Sequence, residues 1–334
     1  MVPFSPLGLA ERIVRENATC ARGRRVKSGG FAFPLHRDPA MTSTHDLLRG
    51  PIVAILNTGS GSCDSSSGAQ AQAAFVAAGL ADVEVVTVDP SGLSTALDTA
   101  IAKAKVLIVL GGDGTIGTAA TRCGETGPLL IPLPGGTMNM LPKALYGTRN
   151  WEEALAATLA APRLQTVSGG DLEGHRFYCA AILGAPSLWA DAREAVREGH
   201  LIDAAQKAIT ATRRSFSDAV HYDFGETRGS AEAVSIICPL ISEALEGDER
   251  FLEAVALDPK TAASLFGLAF HAAYDGWRNE PSVTCVKTRK VVVTGHGAIP
   301  TILDGEKVRV GRRAEVRFLP VAFRALVPAV PLTA

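Results

Sequence analysis

The sequence predicts an α/β protein of two domains, an N-terminal parallel α/β domain followed by a C-terminal antiparallel β-sandwich with inserted helices. Three observations predict this class. The chain has 334 residues, and a chain of this length usually folds around two hydrophobic cores rather than one. Strand-like and helix-like segments alternate from about residue 51 to about residue 145. After about residue 164, short strand-like segments dominate.

Composition restricts the compartment and the kind of partner. The formal net charge of −1 gives no general attraction to nucleic acid. No apolar run approaches the ~20 residues of a membrane span, and the N-terminus lacks the apolar segment of a signal peptide. The six cysteines are scattered without a C-x-x-C pair, which is typical of free thiols. We therefore expect a cytoplasmic protein with no transmembrane segment and no nucleic-acid partner.

Residues 1–48 are predicted to be a disordered extension. They carry a basic cluster at 22–27 followed by Ser28-Gly29-Gly30, and they lack a periodic apolar pattern. A second methionine, Met41, leaves open which methionine starts the natural chain.

The first domain is predicted over residues 49–160. Apolar runs predict strands near 52–56, 83–88, 106–110 and 129–133, and amphipathic spacing predicts helices near 66–78, 92–103 and 116–122. Glycine-rich turns follow three of these strands, at 57–61, 111–114 and 135–139. In a parallel sheet such turns meet at one edge, where ligands bind.

The second domain is predicted over residues 161–328, and its last strands can return to the first domain. Strands are expected near 163–168, 176–183, 219–224, 231–238, 250–257, 282–286, 290–294, 299–303 and 307–319. Two apolar stripes at helical spacing predict helices near 188–214 and 261–277.

The turn after the third predicted strand carries the most chemistry. Five apolar residues, 106–110, run into Gly111-Gly112-Asp113-Gly114-Thr115. The glycines allow backbone N–H groups to approach phosphate oxygens. Asp113 is costly for simple anion binding, but it suits Mg²⁺ orientation or proton acceptance. A plain tight turn and a dinucleotide fingerprint are the alternatives. The fingerprint's acid about 20 residues on is missing, and no P-loop motif exists.

Three motifs together resemble a known family. Gly111–Thr115, followed by Pro134-Gly135-Gly136-Thr137-Met138-Asn139, is similar to the diacylglycerol kinase catalytic domain, whose members include bacterial lipid kinases, sphingosine kinases and ceramide kinases. Asn57-Thr58-Gly59-Ser60-Gly61 resembles the first nucleotide loop of that family, and Asp304-Gly305-Glu306 resembles its late D-G-E motif. The resemblance extends from about residue 51 to about residue 328.

The resemblance implies that ATP binds across the glycine loops and that its γ-phosphoryl group passes to a lipid hydroxyl with the help of Mg²⁺. It implies two catalytic acids, Asp113 and Glu306, which the sequence alone does not rank as general base. The implied nucleotide-binding residues are Asn57, Ser60, Gly61, Gly112, Gly114, Thr115, Gly136, Thr137, Asn139 and Asp304.

This chain departs from the family pattern at several positions. Thr58 replaces the usual proline of the first loop, Ile116 begins a segment that lacks a frequent glutamate, and Ser168 aligns with a usual aspartate. A structural metal segment of the family aligns with Asp248 and Glu249, although adjacent acids are more often a solvated loop.

The leading hypothesis is an ATP-dependent lipid kinase that meets a diacylglycerol-like or sphingoid acceptor at the membrane surface. The alternatives are a soluble-metabolite kinase similar to NAD kinase, which shares the Gly111–Thr115 motif, and a nucleotide- or lipid-binding pseudokinase. A homodimer is compatible with the sequence.

Overall fold

Helices and strands alternate in the first half of the chain, and strands dominate the second. The computed structural model describes residues 47–80, 82–148, 150–184, 219–245, 250–257, 278, 282–330 and 332. The helices are α1 (Ser67–Ala77), α2 (Leu93–Lys103), α3 (Asp113–Cys123), α4 (Met140–Tyr146) and α5 (Trp151–Ala160), with a 3-10 turn at Glu243–Leu245. The strands are β1 (Ile52–Asn57), β2 (Glu84–Val88), β3 (Val106–Gly111), β4 (Leu129–Pro134), β5 (Pro162–Leu172), β6 (His175–Phe177), β7 (Ala180–Gly184), β8 (Val220–Asp223), β9 (Arg228–Ala231), β10 (Ala233–Ile237), β11 (Leu252–Leu257), β12 (Val283–Thr288), β13 (Lys290–Thr294), β14 (Ile299–Leu303), β15 (Glu306–Val310) and β16 (Arg313–Pro328).

The N-terminal part is a parallel sheet in the order β2-β1-β3-β4. β3 is buried along its whole length, as its continuous apolar sequence predicts. α3 packs on β3 and β4, and α5 packs on β4 and β5. The carboxyl ends of β1, β3 and β4 therefore lie side by side at one edge.

β16 links the two halves of the chain. It runs parallel to β4, where Ala325 pairs with Leu130, and antiparallel to β5 and β13. The register shifts between Leu319 and Phe323, which marks a β-bulge. The parallel strands thus continue into an antiparallel half within one ten-stranded sheet.

A second, six-stranded antiparallel sheet has the order β12-β11-β10-β7-β14-β15. A buried cluster joins it to the antiparallel half of the first sheet, with Leu183, Val234 and Ala254 on one side and Val293 and Val316 on the other. This packing is a β-sandwich. The predicted fold class, a parallel α/β part followed by an antiparallel part, is confirmed.

Some predicted elements differ in their bounds. Predicted strand 176–183 is two strands, β6 and β7, because the backbone bends at Tyr178 and Cys179. Predicted strand 231–238 is likewise divided between β9 and β10, and 307–319 between β15 and β16. The helices α4 and α5 were not predicted. The start of α5 had a sequence signal, since the Asn150 side chain accepts a hydrogen bond from the Glu153 N–H.

The described residues belong to one compact unit, Ser43–Ala334. Leu47 and Leu48, assigned from the sequence to the extension, pack against the core of the parallel sheet. Residues 1–46 lie outside the described residues, as do the predicted helices 188–214 and 261–277. The two-domain boundary near residue 160 stays a prediction.

Candidate active site

Three loops meet at the carboxyl edge of the parallel sheet, and hydrogen bonds join them. Asn57, at the end of β1, donates from Nδ2 to Thr115 Oγ1 at 2.9 Å. The Ser62 N–H donates to the Gly135 carbonyl at 2.9 Å, and the Gly135 N–H donates to the Gly111 carbonyl at 2.8 Å. The loops after β1, β3 and β4 therefore form one connected surface.

Two of these loops are in direct backbone contact. A Cβ on Gly136 would lie 2.7 Å from Gly112 Cα, closer than real Cβ contacts come. Glycine is thus required there for close packing. Gly112 is the N-cap of α3 and supplies no side-chain cap. The first N–H groups of α3 are therefore suited to bind an anion.

Asp113 is held by the backbone of the third loop. Its Oδ2 accepts a hydrogen bond from the Asn139 N–H at 2.9 Å, and its Oδ1 accepts one from the Met140 N–H at 2.8 Å. These groups start α4, so the carboxylate caps that helix. Both carboxylate oxygens of Asp113 therefore accept hydrogen bonds, and the side chain connects the start of α3 to the start of α4.

Asn139 shapes the third loop from within. It adopts a left-handed conformation with a φ of 51° and is 2% exposed. Its Oδ1 accepts from the Gly136 N–H at 2.7 Å, and its Nδ2 donates to the Gly136 carbonyl at 2.7 Å. Asparagine tolerates this conformation better than most residues do. The side chain of Asn139 therefore fixes the turn of the loop.

Asp304 lies in the turn between β14 and β15, with a φ of 47°. Its Oδ2 accepts from the Tyr178 N–H at 2.7 Å, and its Oδ1 accepts from the N–H groups of Cys179 and Ala180 at 2.8 and 2.9 Å. Burial raises the pKa of Asp304, the three N–H groups oppose this rise, and the charge of Asp113 adds to it. Asp304 thus anchors the β14–β15 hairpin and lies near Asp113.

Glu306, the first residue of β15, differs from both aspartates. It is exposed, and the described part of the chain offers its carboxylate no hydrogen bond or ion pair. A Cβ built on Gly114 would lie 2.5 Å from Glu306 Oε1. The Glu306 carboxylate therefore lies over the first turn of α3, with its oxygens available to a ligand.

A cleft of about 280 Å³ runs between α3 and two hairpin turns of the antiparallel half. We call it the α3 cleft. Its lining combines polar and apolar surface and is formed by Asp113, Gly114, Gly117, Thr118, Thr121, Arg122, Gly174, His175, Arg176, Tyr178, Leu303, Asp304, Glu306 and Val308. Asp113, Gly114, Asp304 and Glu306 were expected from the sequence to be site residues. Arg176 and Tyr178 had no sequence signal, because only the strand pairing brings them to α3.

The other predicted site residues lie around the same edge. Ser60 is buried, whereas Gly61 and Thr137 are exposed. A Cβ on Gly61 would meet nothing within 4 Å, so that loop has open space beside it. Asp248 and Glu249 lie outside the described residues. Within the described ranges, no group of three or more His, Cys, Asp or Glu side chains is placed to hold a metal ion.

Comparison with known proteins finds a family similar to the N-terminal part of the chain. Residues 51–170 match the family model described as the diacylglycerol kinase catalytic domain. This part of the chain is therefore similar to a diacylglycerol kinase catalytic domain. The match spans all three glycine loops and Asp113, and it ends within β5.

Solved structures support the fold beyond residues 51–170. A diacylglycerol kinase from Bacillus anthracis is 15% identical, with a TM-score of 0.63, over 85% of this chain and 98% of its own. A provisionally named diacylglycerol kinase from the same organism is 16% identical, with a TM-score of 0.66, over 85% and 99% of the two chains. At such low identity the likeness establishes the fold alone. No curated protein matches the sequence significantly.

Proposed function

We propose that the chain is an ATP-dependent lipid kinase, which transfers the γ-phosphoryl group of ATP to the hydroxyl of a diacylglycerol-like or sphingoid lipid. The observation that carries this proposal is the position of Glu306 over Gly114. A carboxylate with available oxygens there faces a glycine-rich helix start. Phosphoryl transfer needs this combination of a phosphate cradle and a proton acceptor.

The nucleotide phosphates bind at the connected loops. The N–H groups of Gly112 and Gly114 lie at the start of α3, and Thr115 is oriented by Asn57. The Gly136 N–H, which was expected to bind phosphate, already donates to Asn139 Oδ1. The hydroxyls of Ser60 and Thr137 border the same edge, next to Gly61. Asn139 and Asp304 hold the loops that carry these groups. The sequence therefore supplies mostly backbone donors, which bind phosphate without adding side-chain charge.

The three acids take different roles. Asp113 positions the third loop, and Asp304 positions the hairpin that carries Glu306. Glu306 is the general base. The acceptor oxygen forms a bond to the γ-phosphorus while its proton passes to the Glu306 carboxylate. The bond between the γ-phosphorus and the bridging oxygen breaks, and ADP leaves with that oxygen.

Mg²⁺ fits this site as a phosphate-bound ion. A magnesium ion commonly uses one or two carboxylates together with substrate phosphates. Glu306 has oxygens available for it, whereas both Asp113 oxygens accept backbone hydrogen bonds. When bound, the ion neutralises charge on the phosphates. The metal role of Asp248 and Glu249 stays a prediction from the sequence.

We also infer that the protein is cytoplasmic and takes its acceptor from a membrane surface. None of the described helices is long and apolar enough to cross a membrane. The lining of the α3 cleft combines apolar surface with the charged side chains of Glu306 and Arg176, a mixture that suits a lipid headgroup while the acyl chains stay in the bilayer.

The test is phosphoryl transfer from labelled ATP by purified full-length protein. The acceptors are diacylglycerol, sphingosine and ceramide in mixed micelles, with NAD as the soluble alternative. We expect labelled lipid and no labelled NAD. Labelled NAD alone would favour the soluble-metabolite kinase, and nucleotide binding without any transfer would favour the pseudokinase.

A further inference from the structure

The α3 cleft has chemically different ends. Gly114, Gly117, Thr118 and Thr121 line it along one face of α3, since they are three to four residues apart. Asp113, Asp304 and Glu306 lie at the N-terminal end of the helix. Arg176 and His175 lie in the wall contributed by β6. The cleft is therefore acidic at one end and contains cationic groups elsewhere.

The guanidinium of Arg176 lies at the far end of α3. A Cβ built on Gly124, the residue that follows the helix, would lie 3.4 Å from Arg176 Nη1. Gly114 and Gly124 are ten residues apart, which corresponds to about 15 Å along a helix axis. Arg176 is thus too far from the start of α3 to contact the phosphoryl group being transferred there.

Within the described residues, the guanidinium of Arg176 has no hydrogen-bond or ion-pair partner. The other arginine of the cleft, Arg122, donates to Asp98 Oδ1 at 2.8 Å and to the Ser94 carbonyl at 2.7 Å. Asp171 pairs with Arg176 across the strands, but its Oδ1 accepts from the Gly174 N–H at 3.0 Å. The cation of Arg176 is therefore available to a ligand.

Apart from Asp171, which forms no ion pair with it, the groups beside Arg176 carry no negative charge. The Tyr178 phenol is 2.8 Å from Thr121 Oγ1, and burial raises the pKa of Tyr178, so the phenol stays uncharged. His175 adds a neighbouring imidazole. The C-terminal end of α3 attracts a cation only weakly at an exposed site. An anionic ligand is the stronger partner, because a guanidinium binds phosphate or carboxylate through two parallel hydrogen bonds.

We propose that the acceptor alcohol carries an anionic group, which Arg176 binds while the hydroxyl lies beside Glu306. This inference rests on the proposed kinase function. Allowing ~3 Å of hydrogen-bond reach at each end leaves on the order of 10 Å between the anionic group and the reacting hydroxyl. The protein then prefers an anionic lipid alcohol over neutral diacylglycerol, because a neutral acceptor leaves Arg176 without its partner.

The experiment compares matched acceptors in the same non-ionic mixed micelles. Neutral diacylglycerol is compared with phosphatidylinositol, whose far ring hydroxyls come closest to this span, and with phosphatidylglycerol as a shorter anionic acceptor. Each is tested with wild type, Arg176→Ala and Arg176→Lys. Arg228→Ala is the control, since that arginine is on β9 and does not line the α3 cleft. We expect Arg176→Ala to raise the acceptor KM about 10- to 100-fold for the anionic lipids only, as for loss of a charge-assisted hydrogen bond. Arg176→Lys should restore part of the preference, and the KM for ATP should not change.

Other outcomes overturn the inference while leaving the kinase function intact. Equal effects on neutral and anionic acceptors would show that Arg176 only supports the end of α3. A raised KM for ATP alone would assign Arg176 to the nucleotide.

If no lipid accepts phosphate, the kinase function fails, and the inference is judged by calorimetric binding of glycerol 3-phosphate. Binding that Arg176→Ala removes and Arg228→Ala keeps would support the anion site. Absent or unaltered binding would overturn it.

Discussion

The parallel edge and the antiparallel hairpins contribute different chemistry to the same cleft. The parallel edge supplies backbone N–H groups on loops that are joined to one another, and its acid, Asp113, is bound by two of those groups. The β14–β15 hairpin supplies Glu306, whose oxygens accept no hydrogen bond from the described residues. We infer from this difference that the role of an acidic residue depends on the hydrogen bonds that its carboxylate oxygens already accept, and not on the motif alone.

Asp113 and Asp304 have similar structural roles in the two regions. Each uses both carboxylate oxygens to hold the backbone of another segment, α4 in one case and the start of β7 in the other. A hydrogen bond to a charged group contributes ~1.5–3 kcal/mol when it is buried. We infer that each aspartate sets the position of a loop and that Glu306 acts on the substrate.

The largest expected effect comes from filling the space between Gly114 on the parallel edge and Glu306 on the β14–β15 hairpin. In Gly114→Val, the new Cβ would meet Glu306 Oε1 and the side chain would fill the place where phosphate approaches. We expect nucleotide affinity to fall by at least ~10², since the backbone donors of α3 would be screened. Binding of a fluorescent ATP analogue measures this effect.

Gly297→Val is the control for that experiment, because a Cβ there meets nothing within 4 Å. Thermal unfolding should show that both variants fold. If Gly114→Val binds nucleotide as wild type does, the phosphate cradle is not at the start of α3.

A smaller effect tests the anchor of the hairpin. In Asp304→Asn, the amide nitrogen would face one of the backbone donors, so we expect a loss of ~1–3 kcal/mol in the free energy of unfolding. Urea unfolding measures this loss. An unchanged free energy would show that the three N–H groups do not hold the hairpin.

The same variant has a predicted pH dependence. Burial raises the pKa of Asp304 in the folded chain, so this group favours folding below its unfolded pKa, and the contribution is lost as the pH rises through the folded pKa. The advantage of wild type over Asp304→Asn should therefore grow as the pH falls toward about 4, the unfolded value of an aspartate. A shrinking advantage would mean that the backbone donors outweigh burial.

Much of the fold could be predicted from the sequence, because local patterns determine it. The apolar run of β3 and the glycine turns indicate the parallel sheet without any knowledge of distant contacts. The separation of β6 from β7 could not be predicted, since it depends on Asp304 binding the N–H groups of residues 178–180, more than 120 positions away in sequence. The bulge in β16 depends likewise on long-range pairing with β5.

The candidate site divides in the same way. The glycine loops and the acids Asp113, Asp304 and Glu306 could be located from motifs, because short spacing determines their local geometry. Which of these acids is the general base could not be predicted, since that depends on which carboxylate oxygens already accept hydrogen bonds from the backbone. Arg176 was missed because it belongs to no motif, and only the packing of the β5–β6 hairpin against α3 brings it to the cleft.

The most direct test of the contrast between Asp113 and Glu306 is a parallel measurement of kcat and of the dissociation constant for ADP in Asp113→Asn and Glu306→Gln. We predict that Glu306→Gln lowers kcat by at least ~10², with unchanged affinity for metal-free ADP and unchanged thermal stability, because it removes the carboxylate and leaves the backbone donors of the loops intact. Asp113→Asn should weaken ADP binding and lower the melting temperature, because its amide cannot accept from both Asn139 and Met140. The reverse pattern, a kcat loss confined to Asp113→Asn and a binding loss confined to Glu306→Gln, would contradict these roles.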